Sequence, residues 1–166
     1  MVSALTVFVK GVLVKHKKTA KRGFPSQFKT PSESPGFLLW KVSNLWQQKQ
    51  REALSKLDLT HVQFVLLAVL GWFSRVEAHV SQASLARHAG TDEMMTSTVV
   101  RTLEKKGLLK RLKHPTDTRA RVLQLTPRGE QAMGEALKVV EQVDRDFFKP
   151  TQSKDLLNLL GSLLSA

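Results

Sequence analysis

Ser81–Gly129 reads SQASLARHAGTDEMMTSTVVRTLEKKGLLKRLKHPTDTRARVLQLTPRG, and its punctuation decides the fold. Ser81 is a helix N-cap, since its hydroxyl can accept from an orphan N–H of the first turn. Gly90 supplies the left-handed residue on which helices commonly end. A short helix is therefore predicted near Gln82–His88. Thr91 or Asp92 caps a longer helix that reaches Lys106 and is closed by Gly107. Leu108–His114 and Arg119–Leu125 read as two strands around Pro115-Thr116-Asp117-Thr118.

On either side the pattern is helical. Downstream, Thr126 caps a helix with Pro127 at its first position, where no N–H is needed. It runs to about Phe148 and carries Met133, Leu137, Val140, Val143 and Phe147 on one side. Pro150 breaks it, Thr151 or Ser153 caps the last helix, and six leucines follow between Leu156 and Leu164. That face is too wide for one wet terminal helix, so a second copy of the chain is its expected cover. Upstream, Thr60-His61-Val62-Gln63 fits a capping box. The helix behind it, to about Phe73, is apolar nearly all round and should be central. Before it, Phe37 to about Leu57 shows Leu38, Val42 and Leu45 at helical spacing, flanked by Trp40 and Trp46.

On a wheel of 100° per residue, Thr96, Val99, Val100 and Leu103 gather on the packing side of the second helix of the quoted stretch. The opposite side presents Met94, Thr98, Arg101 and Lys105, with Ser97 at its edge. That is the chemistry of major-groove reading. Arg can be bidentate to guanine, hydroxyls reach base edges, and Met can touch a thymine methyl. A solvated amphipathic helix would look similar, but the hairpin favours DNA. Lys110, Arg111, Lys113, His114, Arg119 and Arg121 crowd together with one acid, Asp117. A ribbon of that charge repels itself unless phosphates neutralise it. Asp117 is close enough to Arg119 to hold its guanidinium at a fixed angle, as suits a narrow-groove probe.

Composition suggests a polyanionic partner. The 166 residues carry 26 Lys and Arg against 14 Asp and Glu, for +12. Seven of those cations and no acid lie in residues 1–30, leaving 19 against 14 for the remainder. Residues 1–36 are rich in Lys, Ser, Pro and Gly without apolar period and are expected to be a flexible, basic N-terminal extension. With no cysteine, disulfides and thiol redox sensing are excluded. No run approaches the roughly 20 apolar residues of a membrane span, and the N-terminal charges follow the apolar residues instead of preceding them. No membrane partner and a cytoplasmic location are expected.

Two runs carry a resemblance to a known family. RTLEKKGLLKR (Arg101–Arg111) and DTRARVLQLTPRG (Asp117–Gly129) resemble the end of the recognition helix and the wing of the MarR family of winged helix-turn-helix transcriptional regulators. The resemblance implies a mainly α fold: a winged helix-turn-helix domain of three helices plus a two-stranded β wing, with long N- and C-terminal helices forming a dimerisation domain. It spans 37–166, with DNA binding by 60–126 and dimerisation by 37–57 and 127–166. It implies a homodimer bound to a palindromic double-stranded operator, acting as a sequence-specific repressor released by a small ligand. Asp117 would position the wing and Arg119 enter the minor groove. The DNA-binding set is then Met94, Ser97, Thr98, Arg101, Lys105, Lys113, Arg119 and Arg121.

A non-covalent, aromatic effector would lie between the first two long helices and the fifth, among Trp40, Trp46, His61, Phe64 and Trp72; core packing is the competing explanation for each. No cofactor or metal is expected: His16, His61, His79, His88 and His114 are scattered, without a carboxylate cluster. Arg87-His88, near a helix end, suits the dipole and nearby phosphates. No nucleophile–base pair or phosphate-cradling loop appears, so the chain is not expected to be an enzyme. The competing functions are a non-specific nucleoid or architectural DNA binder, and a winged module used for protein contacts.

Overall fold

The computed structural model describes residues 25–115, 121–151 and 154–165. Most of the expected N-terminal extension, and both Asp117 and Arg119, lie outside the described residues. The chain divides into two units at Leu38/Leu39. In the first, Pro31–Glu33 form a 3-10 turn.

Six α-helices and a two-stranded antiparallel ribbon make up the regular structure among the described residues. They are α1 (Pro35–Ser55), α2 (His61–Phe73), α3 (Gln82–Ala89), α4 (Glu93–Lys105), β1 (Leu109–Lys113), β2 (Arg121–Leu125), α5 (Pro127–Phe148) and α6 (Lys154–Leu164). The capping box forms as its residue types require: Gln63 N–H donates to Thr60 Oγ1 at 3.3 Å, and Thr60 N–H to Gln63 Oε1 at 3.2 Å. Ser81, Asp92 and Thr126 cap α3, α4 and α5. Gly90 and Gly107 turn the chain with φ of 61° and 70°, a region closed to most side chains.

The core gathers where α2 meets α3, α4, α5 and β2. Leu66, Leu67 and Leu70 of α2 are fully buried against Leu85, Leu103 and Leu123. One link is not predicted from sequence: Leu123 N–H donates to Val80 O at 2.8 Å, and Ser81 bridges Val122. The residues just before α3 thus act as a minimal third strand, which fixes the ribbon to the helix-turn-helix.

The apolar stripe expected to pack α1 stays largely uncovered in one chain. Leu38, Val42 and Leu45 are exposed, whereas Gln50 and Leu54 are buried. On α6, Leu157, Leu159, Leu163 and Leu164 are all more than 60 % exposed. The periodicity is a true apolar face in both helices, but among the described residues no element of the same chain covers it.

Candidate nucleic-acid interface

Asp92 starts α4 by accepting from the N–H groups of Met94 and Met95 at 2.9 and 3.0 Å. The helix then packs one side and presents the other. Thr96, Val100 and Leu103 are fully buried. The Thr96 hydroxyl is satisfied within the turn, 2.8 Å from Thr91 Oγ1 and donating to Asp92 O at 2.8 Å. With this side held by α2 and α3, the other side faces solvent.

That solvent side carries Met94, 81 % exposed, then Thr98 and Arg101, with Ser97 half-buried at its edge. Thr98 Oγ1 donates back to Met94 O at 3.1 Å, which leaves its oxygen lone pairs outward. Arg101 has no hydrogen-bond or ion-pair partner among the described residues. Lys105 is also exposed, but it lies about three turns further along, roughly 16 Å from Met94, beside Lys106 and Arg128. It belongs to the far end of α4.

The ribbon adds charge with a specific arrangement. Its register pairs Leu109 with Leu125 and, at its outer end, Lys113 directly with Arg121. Side chains opposed across antiparallel strands lie about 5 Å apart, so like charges there cost several tenths of a kcal/mol. Not all of the basic run is available. Arg111 Nε donates to Glu104 Oε2 at 2.9 Å, which holds the Glu104 carboxyl below its ordinary pKa and raises the Arg111 guanidinium. Part of the expected self-repulsion is therefore relieved internally. Among the described residues, Lys110, Lys113 and Arg121 have no acidic partner.

His88, read from sequence as a cation suited to the helix end and nearby phosphates, is engaged inside the protein. Its Nε2 is 2.6 Å from Glu77 Oε1, and its ring stacks on Phe73 at 3.5 Å. Ser84 Oγ donates to the other Glu77 oxygen at 3.1 Å. These contacts tie the end of α2 to α3.

Of the five aromatic effector candidates, two come together. Trp46 and His61 meet edge-on with ring centroids 5.0 Å apart. Phe64 is buried in the core, and Trp40 and Trp72 are more than 60 % exposed. Sequence reading missed the acid that organises the pair. Asp144 Oδ1 of α5 accepts from Trp46 Nε1 at 2.7 Å and from Gln50 Nε2 at 2.8 Å. Gln50 is fully buried and its Oε1 has no hydrogen-bond partner among the described residues. No spacing rule could bring out residues 94 and 98 positions apart.

Burial lowers the His61 pKa below 6.5, against the pull of Asp144 and with the push of Arg51. The unfolded chain therefore takes up this proton first. The stability His61 contributes is full above pH 6.5 and is lost as pH falls through the window below it. Urea midpoints at pH 7.5 and 5.5 should show a larger acid loss in the native protein than in His61→Gln. Equal losses would remove His61 from the account.

No group of three or more His, Asp or Glu residues able to hold a metal is present among the described residues, and no helix there is long and apolar enough to cross a membrane.

Comparison with known proteins agrees with this geometry. Residues 59–120, from the end of the α1–α2 turn through most of the hairpin, match the MarR family. The HTH-type transcriptional regulator YdcH of Bacillus subtilis, itself described as uncharacterized, is 45% identical over 138 residues, covering 83% of this chain and 92% of that protein. The HTH-type transcriptional repressor Rv2887 of Mycobacterium tuberculosis is 34% identical over 66% of this chain and 76% of its own. Among solved structures, a mutant MarR from E. coli complexed with operator DNA superimposes with a TM-score of 0.66 at 25% identity, over 78% of this chain and 90% of that one.

Proposed function

The chain belongs to the MarR family of HTH-type transcriptional regulators, and from that membership we propose that it acts as a homodimeric repressor that reads a palindromic operator and lets go when a small ligand binds. It is a sequence-specific regulator and not a non-specific nucleoid protein. In the proposed complex Met94, Ser97, Thr98 and Arg101 reach base edges in the major groove. Lys113 and Arg121, opposed on one face of the ribbon, meet phosphates. Asp117 and Arg119 form the wing tip, with Arg119 in the minor groove. The dimer is formed by residues 37–57 and 127–166, and the uncovered leucine face of α6 supports that assignment.

The observation that carries the DNA reading is the opposition of Lys113 and Arg121. A two-stranded ribbon gains nothing in its own stability from two cations face to face. It gains when a polyanion lies across them, because each neutralised phosphate releases counterions. The guanidinium of Arg101 on the adjoining helix, without a partner among the described residues, then supplies selectivity.

Both properties are measurable. A duplex from the regulator's own upstream region should bind at least about 10³-fold tighter than random duplex of the same length. Preference near unity would overturn the operator reading. Arg121→Glu converts the repulsive pair into an attractive one. The isolated protein should gain several tenths of a kcal/mol in stability. Meanwhile the slope of log affinity against log salt should become shallower by about 2, one contact from each subunit. A variant that loses stability, or keeps its salt slope, would show that the ribbon does not face phosphate.

The effector reading rests on the junction of Trp46, Gln50, His61 and Asp144. Gln50 Oε1 is a buried acceptor without a donor among the described residues, and such a group costs about 1–3 kcal/mol. A small aromatic ligand carrying a donor would satisfy it. Occupancy there would act on α1, α2 and α5 together and so on the spacing of two reading heads.

A further inference from the structure

A hollow lies at the far end of α4, away from the outward residues that lead the DNA reading. It has a volume of about 370 Å³ and lies between the α1–α2 turn, the end of α4 and the start of α5. Three cations line it, Lys105, Lys106 and Arg128, against one acid, Asp58. Buried Leu59 and Leu108 give it an apolar floor.

Helix electrostatics account for only part of this. Lys105 and Lys106 sit at the carbonyl end of α4, where cations are favoured. Arg128 has no such excuse, since it occupies the first turn of α5, where the dipole disfavours a cation by a few tenths of a kcal/mol. Neither Lys105 nor Arg128 has a hydrogen-bond or ion-pair partner among the described residues. The Arg128 Nη1 reaches over Gly107, 4.0 Å from where a Cβ would stand, so the guanidinium is at the rim.

Asp58 already behaves as a tethered anion in this site. It is the one non-glycine residue with positive φ among the described residues, at 53°, a conformation Asp tolerates because its short side chain bonds locally. Its carboxylate Oδ2 accepts from Lys106 Nζ at 3.0 Å, yet the Asp58 side chain is 93% exposed. Lys106 is held without the carboxylate as well, by Asp58 O and by Gln63 Oε1. The carboxylate can therefore swing into water while the lysine stays in place.

We propose that this hollow binds a small organic anion, with its phosphate or carboxylate head between Arg128 and the two lysines and a compact apolar body on Leu59 and Leu108. The head displaces the Asp58 carboxylate. The bound molecule bridges the end of the reading helix, the turn before α2 and the start of α5. It is separate from the Trp46–Asp144 junction, and its existence does not depend on the DNA reading.

The test needs no DNA. Isotope-labelled full-length protein is titrated with phenyl phosphate at constant ionic strength, and in parallel with inorganic phosphate. Phenyl phosphate should shift the amide signals of Gly107, Leu108 and Arg128 along one saturable curve. Arg128→Gln, which removes an exposed side chain without partners among the described residues, should weaken binding at least fivefold. Asp58→Asn keeps a residue that accepts positive φ but removes the competing charge, and should tighten binding at least twofold. Inorganic phosphate should bind more weakly than phenyl phosphate, and equal affinities would overturn the apolar floor. The absence of a saturable shift up to about 10 mM, or curves unchanged by Arg128→Gln, would overturn the site. An unchanged or weaker affinity in Asp58→Asn would overturn the displacement.

Discussion

Gly129→Ala is expected to lower the melting temperature by roughly 6–12 °C, the largest loss of stability from adding one methyl group anywhere in the described chain. A Cβ at Gly129 would stand 1.8 Å from Leu108 O and 2.8 Å from Leu108 C. Both are backbone atoms, so no side chain can turn aside. The same carbonyl accepts the Thr126 N–H at 3.1 Å, while Thr126 Oγ1 accepts from Gly129 N–H at 3.0 Å and donates to Gly107 O at 2.6 Å. The start of α5 is thus stitched to the turn between α4 and β1 at van der Waals range. An added methyl must pry the two apart and stretch these bonds. Overpacking of this kind costs about 3 kcal/mol, and each kcal/mol shifts melting by about 2–4 °C in a domain of this size. Gly134 lies on the same helix with nothing within 4 Å of its Cβ position. There Gly134→Ala should stabilise, by up to about 1 kcal/mol of helix propensity. Thermal unfolding of both variants gives opposite signs if contact decides. Two losses of equal size would mean that the close approach at Leu108 is not the cause.

What could be read from sequence follows a physical division. Local chemistry was legible: the Thr60–Gln63 box, the caps at Ser81, Asp92 and Thr126, and the left-handed Gly90 and Gly107 stand where the residue types placed them. So was the packing side of α4, because a 3.6-residue period fixes which side chains share a face. Contacts between elements were not. Glu104 claims Arg111 across the α4–β1 turn, and Asp144 joins Trp46 and Gln50 from the far end of the chain. Each depends on how helices cross, which no period encodes. The opposition of Lys113 and Arg121 is intermediate: both lysine and arginine are visible in the sequence, but their register depends on the length and shape of the tip.

Exposure in one chain also changes the meaning of apolar periodicity. The stripe Leu38–Val42–Leu45 predicts a buried face, and the leucines of α6 predict another. Both faces exist and neither is covered among the described residues of a single chain. Exposed leucines gathered on one side of a helix mark a candidate association site. In the dimer we propose, these faces would hold the two reading helices at a spacing that suits one helical turn of DNA.

That spacing makes Arg101 the most sensitive point for binding. Arg101→Ala should weaken operator binding by roughly 2–6 kcal/mol, since a dimer loses one contact of about 1–3 kcal/mol in each half-site. This corresponds to a loss between about 30-fold and about 10⁴-fold. Stability should be unaffected, because Arg101 is exposed and has no partner to leave behind among the described residues. Arg101→Lys should recover little, as an ammonium cannot reproduce the two-pronged donation of a guanidinium. The pattern of the loss identifies the contact. If Arg101 reads guanine, the deficit appears on the operator, vanishes on random duplex, and collapses at one base-pair position per half-site. If Arg101 only touches phosphate, affinity falls equally on every sequence and the salt slope drops by about 1 for each subunit. An Arg101→Ala protein that binds its operator with native affinity would mean that the outward face of α4 is not the reading surface, whatever the family does.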